Sequence, residues 1–166
     1  YLNKLDIPHK FYVGHQVDDK LFNRGAMKNI AAHHAFEDGC DYIAWHDVDM
    51  VPHDDNCDYS YPDEFPVHIA TKLSKYEYKL GYEQYFGGVV LFTKDQVSKT
   101  NGYSNDYWDW GQEDDDLFWR AYFEGLTTYK VFEKHQNRLV AQFNGNDSYL
   151  AFKTNREISS CLHQDH

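Results

Sequence analysis

The segment Tyr42-Ile43-Ala44-Trp45-His46-Asp47-Val48-Asp49 constrains the fold most, because a five-residue buried strand runs without a turn into two carboxylates one residue apart. Its length suits a strand rather than a helix. Upstream, Ala26, Ile30, Ala31 and Ala35 recur at helical spacing between Asn23 and Phe36, with Asn23 placed as N-cap and Gly39 just beyond the end. Lys10 to Val13 reads as a further short strand that stops at Gly14. The order is strand, helix, strand, carboxylates. In open α/β sheets ligands gather at the carboxyl ends of strands, so this point is a candidate site before any motif is named.

Downstream, Val67 to Thr71 and Gly87 to Phe92 are expected as strands. Thr93-Lys94-Asp95-Gln96 has the form of a capping box, and the short helix it starts should stop before Gly102. Glu113 to Glu124 predicts a second clear helix, apolar at Leu117, Phe118, Ala121 and Tyr122 and followed by Gly125. Past Gly125, the segments Thr127 to Phe132, Leu139 to Phe143, Tyr149 to Phe152 and Glu157 to Leu162 suggest antiparallel strands and hairpins, with Asn144 to Asp147 as a turn.

A chain of 166 residues with no internal repeat is expected to form one domain. The opening at Tyr1, with Leu2, Leu5 and Ile7 already reading as buried, is expected of a piece of a longer protein. Aromatic residues make up 17% of the chain, enough apolar surface to drive folding despite a mean hydropathy of -0.77. The formal charge of -11 and the lack of a basic stripe exclude nucleic acid and anionic lipid as expected partners. The longest apolar runs fall far short of the roughly 20 residues that cross a bilayer. No CxxC occurs, and Cys40, Cys57 and Cys161 leave one disulfide plus a thiol, or three thiols.

Three constellations carry chemistry. Asp47 and Asp49 at a strand end can share a hard cation that bridges to phosphate oxygens, or can form the start of a solvated acidic loop. In Trp108-Asp109-Trp110-Gly111-Gln112-Glu113-Asp114-Asp115-Asp116 the indoles offer faces for stacking on sugars, and carboxylates in apolar surroundings can accept a proton from a hydroxyl. The bland alternative is two core tryptophans and a first helical turn of acids that suit the helix dipole. In Tyr82-Glu83-Gln84-Tyr85-Phe86-Gly87-Gly88, paired glycines at a strand start admit a ligand close to the backbone, or form an ordinary bulge.

Taken in order, Phe22-Asn23-Arg24-Gly25, the stretch Asp41 to Asp49, Tyr85-Phe86-Gly87-Gly88, Asn101-Gly102 and Trp108-x-Trp110-Gly111-x-Glu113-Asp114-Asp115 resemble the β-1,4-galactosyltransferase family over about 70% of the chain. Asp41 to Pro62 looks most like the xylosylprotein (proteoglycan linker) branch, and Gln84 to Gly88 more like the lactose and N-acetyllactosamine branch. The resemblance implies an α/β, GT-A (Rossmann-like) domain with a mixed central sheet flanked by helices and without the family's first strand. It implies inverting, Mn²⁺-dependent transfer of galactose or N-acetylgalactosamine from a UDP-sugar donor to a glycan acceptor. For a eukaryotic chain it implies a Golgi lumen location.

Carried over by motif, Asp49 is a metal ligand, and His163 fits the family's third ligand better than His135 or His166. Phe22, Arg24, Asp47, Tyr85, Trp110 and Glu113 would bind the donor. Tyr82, Gly88, Asp114 and Asp115 would bind the acceptor, with Asp114 as catalytic base. A pairing of Cys40 with Cys57 would be family-like and would brace the metal loop. Where the family has WGWGG this sequence has Trp108-Asp109-Trp110-Gly111-Gln112. The competing readings are a non-catalytic carbohydrate-binding or accessory module on the same scaffold, and an acidic Ca²⁺-binding domain. The latter leaves the tryptophan loop without a role and lacks the EF-hand pattern.

Overall fold

The computed structural model describes residues 4–52, 57–80, 82, 84–126, 128–129, 150–151 and 162–164. Among them a three-stranded antiparallel sheet is ordered β1-β4-β3, with β1 at Tyr42–His46, β3 at Val67–His68 and β4 at Val89–Thr93. β4 is central, and all five of its residues are buried. Its alternation divides the core: Val90 and Phe92 join Ile43, Trp45, Leu117 and Phe118 under the helices, while Val89 and Leu91 join Met50, Cys57, Ile69 and Leu73 on the opposite face. Burial on both faces explains why β4 reads as a continuous apolar run.

Helix α1 spans Arg24–Glu37 and starts where the Asn23 side chain accepts the Ala26 N–H, a cap worth about 1 kcal/mol. The expected capping box forms at Thr93 and Gln96, and α2 (Lys94–Thr100) ends at Asn101 in a left-handed conformation. Helix α3 spans Glu113–Phe123 and packs Leu117, Phe118 and Ala121 inward. No helix among the described residues is long and apolar enough to cross a membrane.

Several expectations are corrected. Lys10 to Val13 pairs with no strand among the described residues; Phe11 and Val13 are exposed, and the segment is tied to α1 instead by Tyr12 Oη and Lys10 Nζ donating to Asp38. The ladder of β4 begins at Val89 rather than Gly87, since Gly88 has a φ of +79° and turns the chain before pairing starts. Ladder pairing of β3 covers Val67 and His68 only, although the Ile69 N–H still donates to the Val89 carbonyl. Inside the stretch read as an acidic loop lies a strand, β2 (Met50–Pro52), which pairs antiparallel with β7 (Leu162–Gln164). β5 (Thr128–Tyr129) and β6 (Leu150–Ala151) also pair antiparallel, within two of the expected strand segments. The strand expected at Leu139 to Phe143 and the turn at Asn144 to Asp147 lie outside the described residues. Every strand pairing described is antiparallel, where a mixed sheet was expected.

The expected Cys40–Cys57 disulfide is overturned. Cys57 is disulfide-bonded, but Cys40 is a free thiol. Cys40 packs against the cluster under the helices and Cys57 lies in the cluster on the other face, so the sheet stands between two sulfurs that would have to bond at about 2 Å.

His68 on β3 is buried, and its Nε2–H donates to the Gly87 carbonyl at 2.8 Å. Burial pushes this imidazole from 6.5 to about 4. The folded value is the lower one, so the stability this group contributes is complete above pH 6.5 and is lost as the pH falls toward 4. His68→Gln keeps an N–H for Gly87 and cannot titrate. Urea unfolding across this window is expected to show a pH dependence in the wild type that is about 3 kcal/mol smaller in His68→Gln. Equal slopes for the two proteins would refute it.

Candidate functional site

Four elements converge at the carboxyl end of β1. The Asp47 N–H donates to the Gly88 carbonyl at 2.8 Å and the Met50 N–H to the Asp47 carbonyl at 3.1 Å, closing a turn that leaves Val48 fully exposed at its tip. Asp49 follows in this turn, partly buried, just before β2. His46 donates from Nδ1 to the Asp47 carbonyl (2.8 Å) and accepts at Nε2 from the Tyr59 hydroxyl (3.1 Å), and burial lowers its pKa, so a neutral ring underpins the turn.

From α1, Arg24 and Lys28 stand one helical turn apart on one face. Arg24 pairs with Glu113, which is 3% exposed. Burial works against the Arg24 charge, but Asp47, Glu113 and Asp114 more than offset it and hold the guanidinium protonated. Lys28 Nζ lies 2.8 Å from Asp47 Oδ1, 4.0 Å from Asp114 Oδ1 and 3.3 Å from the Tyr103 hydroxyl, with the Tyr103 ring centroid at 4.8 Å.

Asp114, in the first turn of α3, accepts from the Tyr103 hydroxyl at 3.0 Å. Burial raises its pKa, Lys28 opposes that, and the nearby charges of Asp47 and Glu113 reinforce it. The same burial, with Asp114 and Asp47 adding to it, raises the Tyr85 phenol well above its usual range. Tyr82 donates to Asp115 at 2.7 Å at the rim.

The tryptophan loop is the open side. Trp110 is 83% exposed, and Lys20 lies over Trp108 at 5.4 Å. The Asp109 N–H donates to the Phe22 carbonyl at 2.8 Å, which ties this loop to the start of α1 beside the half-exposed Phe22 ring. Asp109 and Gln112 have φ of 76° and 72°, so the two residues that replace glycines of the resembled motif keep a glycine-like backbone. That conformation costs a residue with a Cβ about 1 kcal/mol.

The fold therefore gathers Arg24, Asp47, Tyr85, Glu113 and Asp114, brings Gly88 in by its backbone, pairs Tyr82 with Asp115, and sets Phe22 and Trp110 on the rim. The backbone at position 163 pairs with Val51, two residues beyond Asp49. Among the described residues no three His, Cys, Asp or Glu side chains cluster as a ready metal site. Lys28, Asn29 and Tyr103 were missed by the sequence reading. Asn29 holds Tyr103 through both its backbone N–H and carbonyl, and the signal for Lys28 was its spacing four residues after Arg24.

Two family models match in succession. One, described as the N-terminal region of glycosyl transferase group 7, covers residues 1–62, and the other, described as the N-terminal domain of galactosyltransferase, covers residues 67–141. Beta-1,4-galactosyltransferase 3 of Homo sapiens is 39% identical over 127 residues, 76% of this chain and 32% of that protein. Beta-1,4-galactosyltransferase 6 of Homo sapiens is 37% identical over 166 residues, 94% of this chain and 43% of that protein. The chain thus spans less than half the length of these curated relatives. The catalytic domain of Drosophila beta-1,4-galactosyltransferase 7, solved with xylobiose, superimposes with a TM-score of 0.67 at 40% identity, over 75% of this chain and 52% of that one. A mutant of the same enzyme, solved with manganese, UDP-Gal and xylobiose, gives 0.68 at 33% identity, over 99% and 70%. The GT-A-like fold expected from the sequence is the one these catalytic domains carry.

Gly87 carries a prediction. A Cβ there would press on Asp114 Oδ2 and come within 3.0 Å of Tyr85 Cε2, and the flexible carboxylate is the partner that can yield. In Gly87→Ala a crystal structure should show Asp114 turned away from Tyr103, with thermal unfolding reporting a loss of about 1–3 kcal/mol. An unmoved Asp114 would contradict this.

Proposed function

The chain belongs to the β-1,4-galactosyltransferase family, and on that premise we propose that it is an inverting, Mn²⁺-dependent hexosyltransferase. It moves galactose, or N-acetylgalactosamine, from a UDP-sugar to a sugar hydroxyl of a glycan, and residues 1–166 form a single catalytic domain. The observation that carries this reading is the convergence of a donor-side carboxylate, Asp47, and a partly buried acceptor-side carboxylate, Asp114, on one lysine. The relative solved with manganese, UDP-Gal and xylobiose supports the same pairing of donor and acceptor. A eukaryotic source would put the domain in the Golgi lumen.

Single-step inversion needs a base at the acceptor hydroxyl and no covalent nucleophile. Asp114 fills that role: it is pinned by Tyr103, held close to Lys28 and only 15% exposed, so a hydroxyl docked beside it finds an oriented oxygen. Tyr82 and Asp115 line the rim on the acceptor side, and Gly88 leaves room beside the strand. Phe22 and Arg24 flank the uridine, Asp47 and Glu113 face the donor sugar with Tyr85, and the exposed Trp110 folds over it. Asp49 and His163 would hold the metal, a carboxylate and an imidazole being ligand types that suit manganese. When bound, Mn²⁺ supplies Lewis-acid stabilisation of the leaving diphosphate.

Asp49→Ala is expected to abolish Mn²⁺ binding measured by electron paramagnetic resonance; unchanged affinity would remove Asp49 from the ligand set. His163→Ala should weaken that binding, and His135→Ala should not. Asp114→Asn keeps size and polarity but cannot take a proton. Its turnover should fall about 10²-fold or more while calorimetry still shows UDP and Mn²⁺ binding. A wild-type domain that binds both and transfers no sugar would favour the accessory-module reading.

A further inference from the structure

Lysine is almost never buried unless paired, yet the Lys28 side chain is only 10% exposed. The cluster holds three carboxylates, Asp47, Glu113 and Asp114, against two cations, and Arg24 is committed to Glu113. Lys28 is anchored on Asp47 at 2.8 Å and on the face of Tyr103, and from there its charge reaches Asp114 at 4.0 Å. Tyr103 in turn holds Asp114 by its hydroxyl. One ammonium thus links the turn that presents the donor-side carboxylate to the helix that presents the acceptor-side one.

We propose that Lys28 is a positioning residue that ties Asp114 to the Asp47 turn and keeps it in its proton-accepting form. The inference rests on the reading of Asp114 as base. The groups that face Asp114 are Lys28 and Arg24 from α1, Asp47 from the turn after β1, Tyr82 and Tyr85 from the approach to β4, Tyr103 from the loop after α2 and Glu113 from its own helix. Of the influences on Asp114, burial, Asp47 and Glu113 favour the acid, and Lys28 and the Tyr103 hydroxyl favour the carboxylate. Removing the lysine therefore tips Asp114 toward the acid and frees it from the turn.

The test uses the full chain with Lys28→Met, Lys28→Gln as a polar alternative should the first fail to fold, and Lys28→Arg. Titration of the Asp114 carboxyl carbon by ¹³C NMR, assigned with Asp114→Asn, should show its midpoint raised by about one pH unit or more in Lys28→Met or Lys28→Gln, with most of the shift reversed in Lys28→Arg. In transfer assays with UDP-galactose and a β-xyloside, the acid limb of the kcat–pH profile should move up by the same amount as the Asp114 midpoint, with kcat approaching the wild-type value at pH 9, while the Kd for UDP with Mn²⁺ stays within about threefold. An unmoved Asp114 midpoint, or a loss of kcat equal at every pH, would overturn the proposal. If the wild type transfers nothing, the transfer reading fails, and the NMR midpoint alone still decides the role of Lys28.

Discussion

The structure depends on two cations one helical turn apart on α1. Arg24 and Lys28 enter the same cluster as the buried Glu113 and the partly buried Asp47 and Asp114, and their charges offset the crowding of three carboxylates. Removing charge from water is costly, and close opposite charges with satisfied hydrogen bonds are what make it tolerable. The geometry of α1 is therefore a condition of the site: its N-cap at Asn23 sets the phase of the helix, and the phase sets which residues face the turn after β1.

The scaffold beneath is built around β4. With both faces buried and neighbours on both edges, it fixes the height of Gly87 and Gly88, against which the Asp47 turn and Asp114 are seated. The buried, neutral His68 locks the Gly87 carbonyl from below. Opposite this rigid floor stands a loop with an exposed Trp110 and two left-handed residues other than glycine, joined to the start of α1 by one backbone hydrogen bond.

Much of this was legible beforehand because it is local. The YIAWH strand, the Asn23 cap, the Thr93 capping box and the apolar face of α3 each follow from a few neighbouring residues, and the structure has them where the pattern put them. Lys10 to Val13 has the composition of a strand but no partner among the described residues. Met50 to Pro52 has too few residues to announce itself and becomes a strand only through β7. The family-like pairing of Cys40 with Cys57 failed because a motif does not say which face of the sheet a side chain takes.

The sequence by itself determined the helices, their caps at Asn23 and Thr93, the strands at Tyr42–His46 and Val89–Thr93, and the family, since these are written in spacing and motif. Tertiary structure alone decided that Lys28 is the shared counter-charge of Asp47 and Asp114, that Tyr103 pins Asp114, and that Cys40 stays a thiol. The physical reason is that electrostatic partnership depends on distance in space. Residues 28, 47, 103 and 114 meet only after α1 and α3 have packed on β4, and no local pattern encodes that meeting.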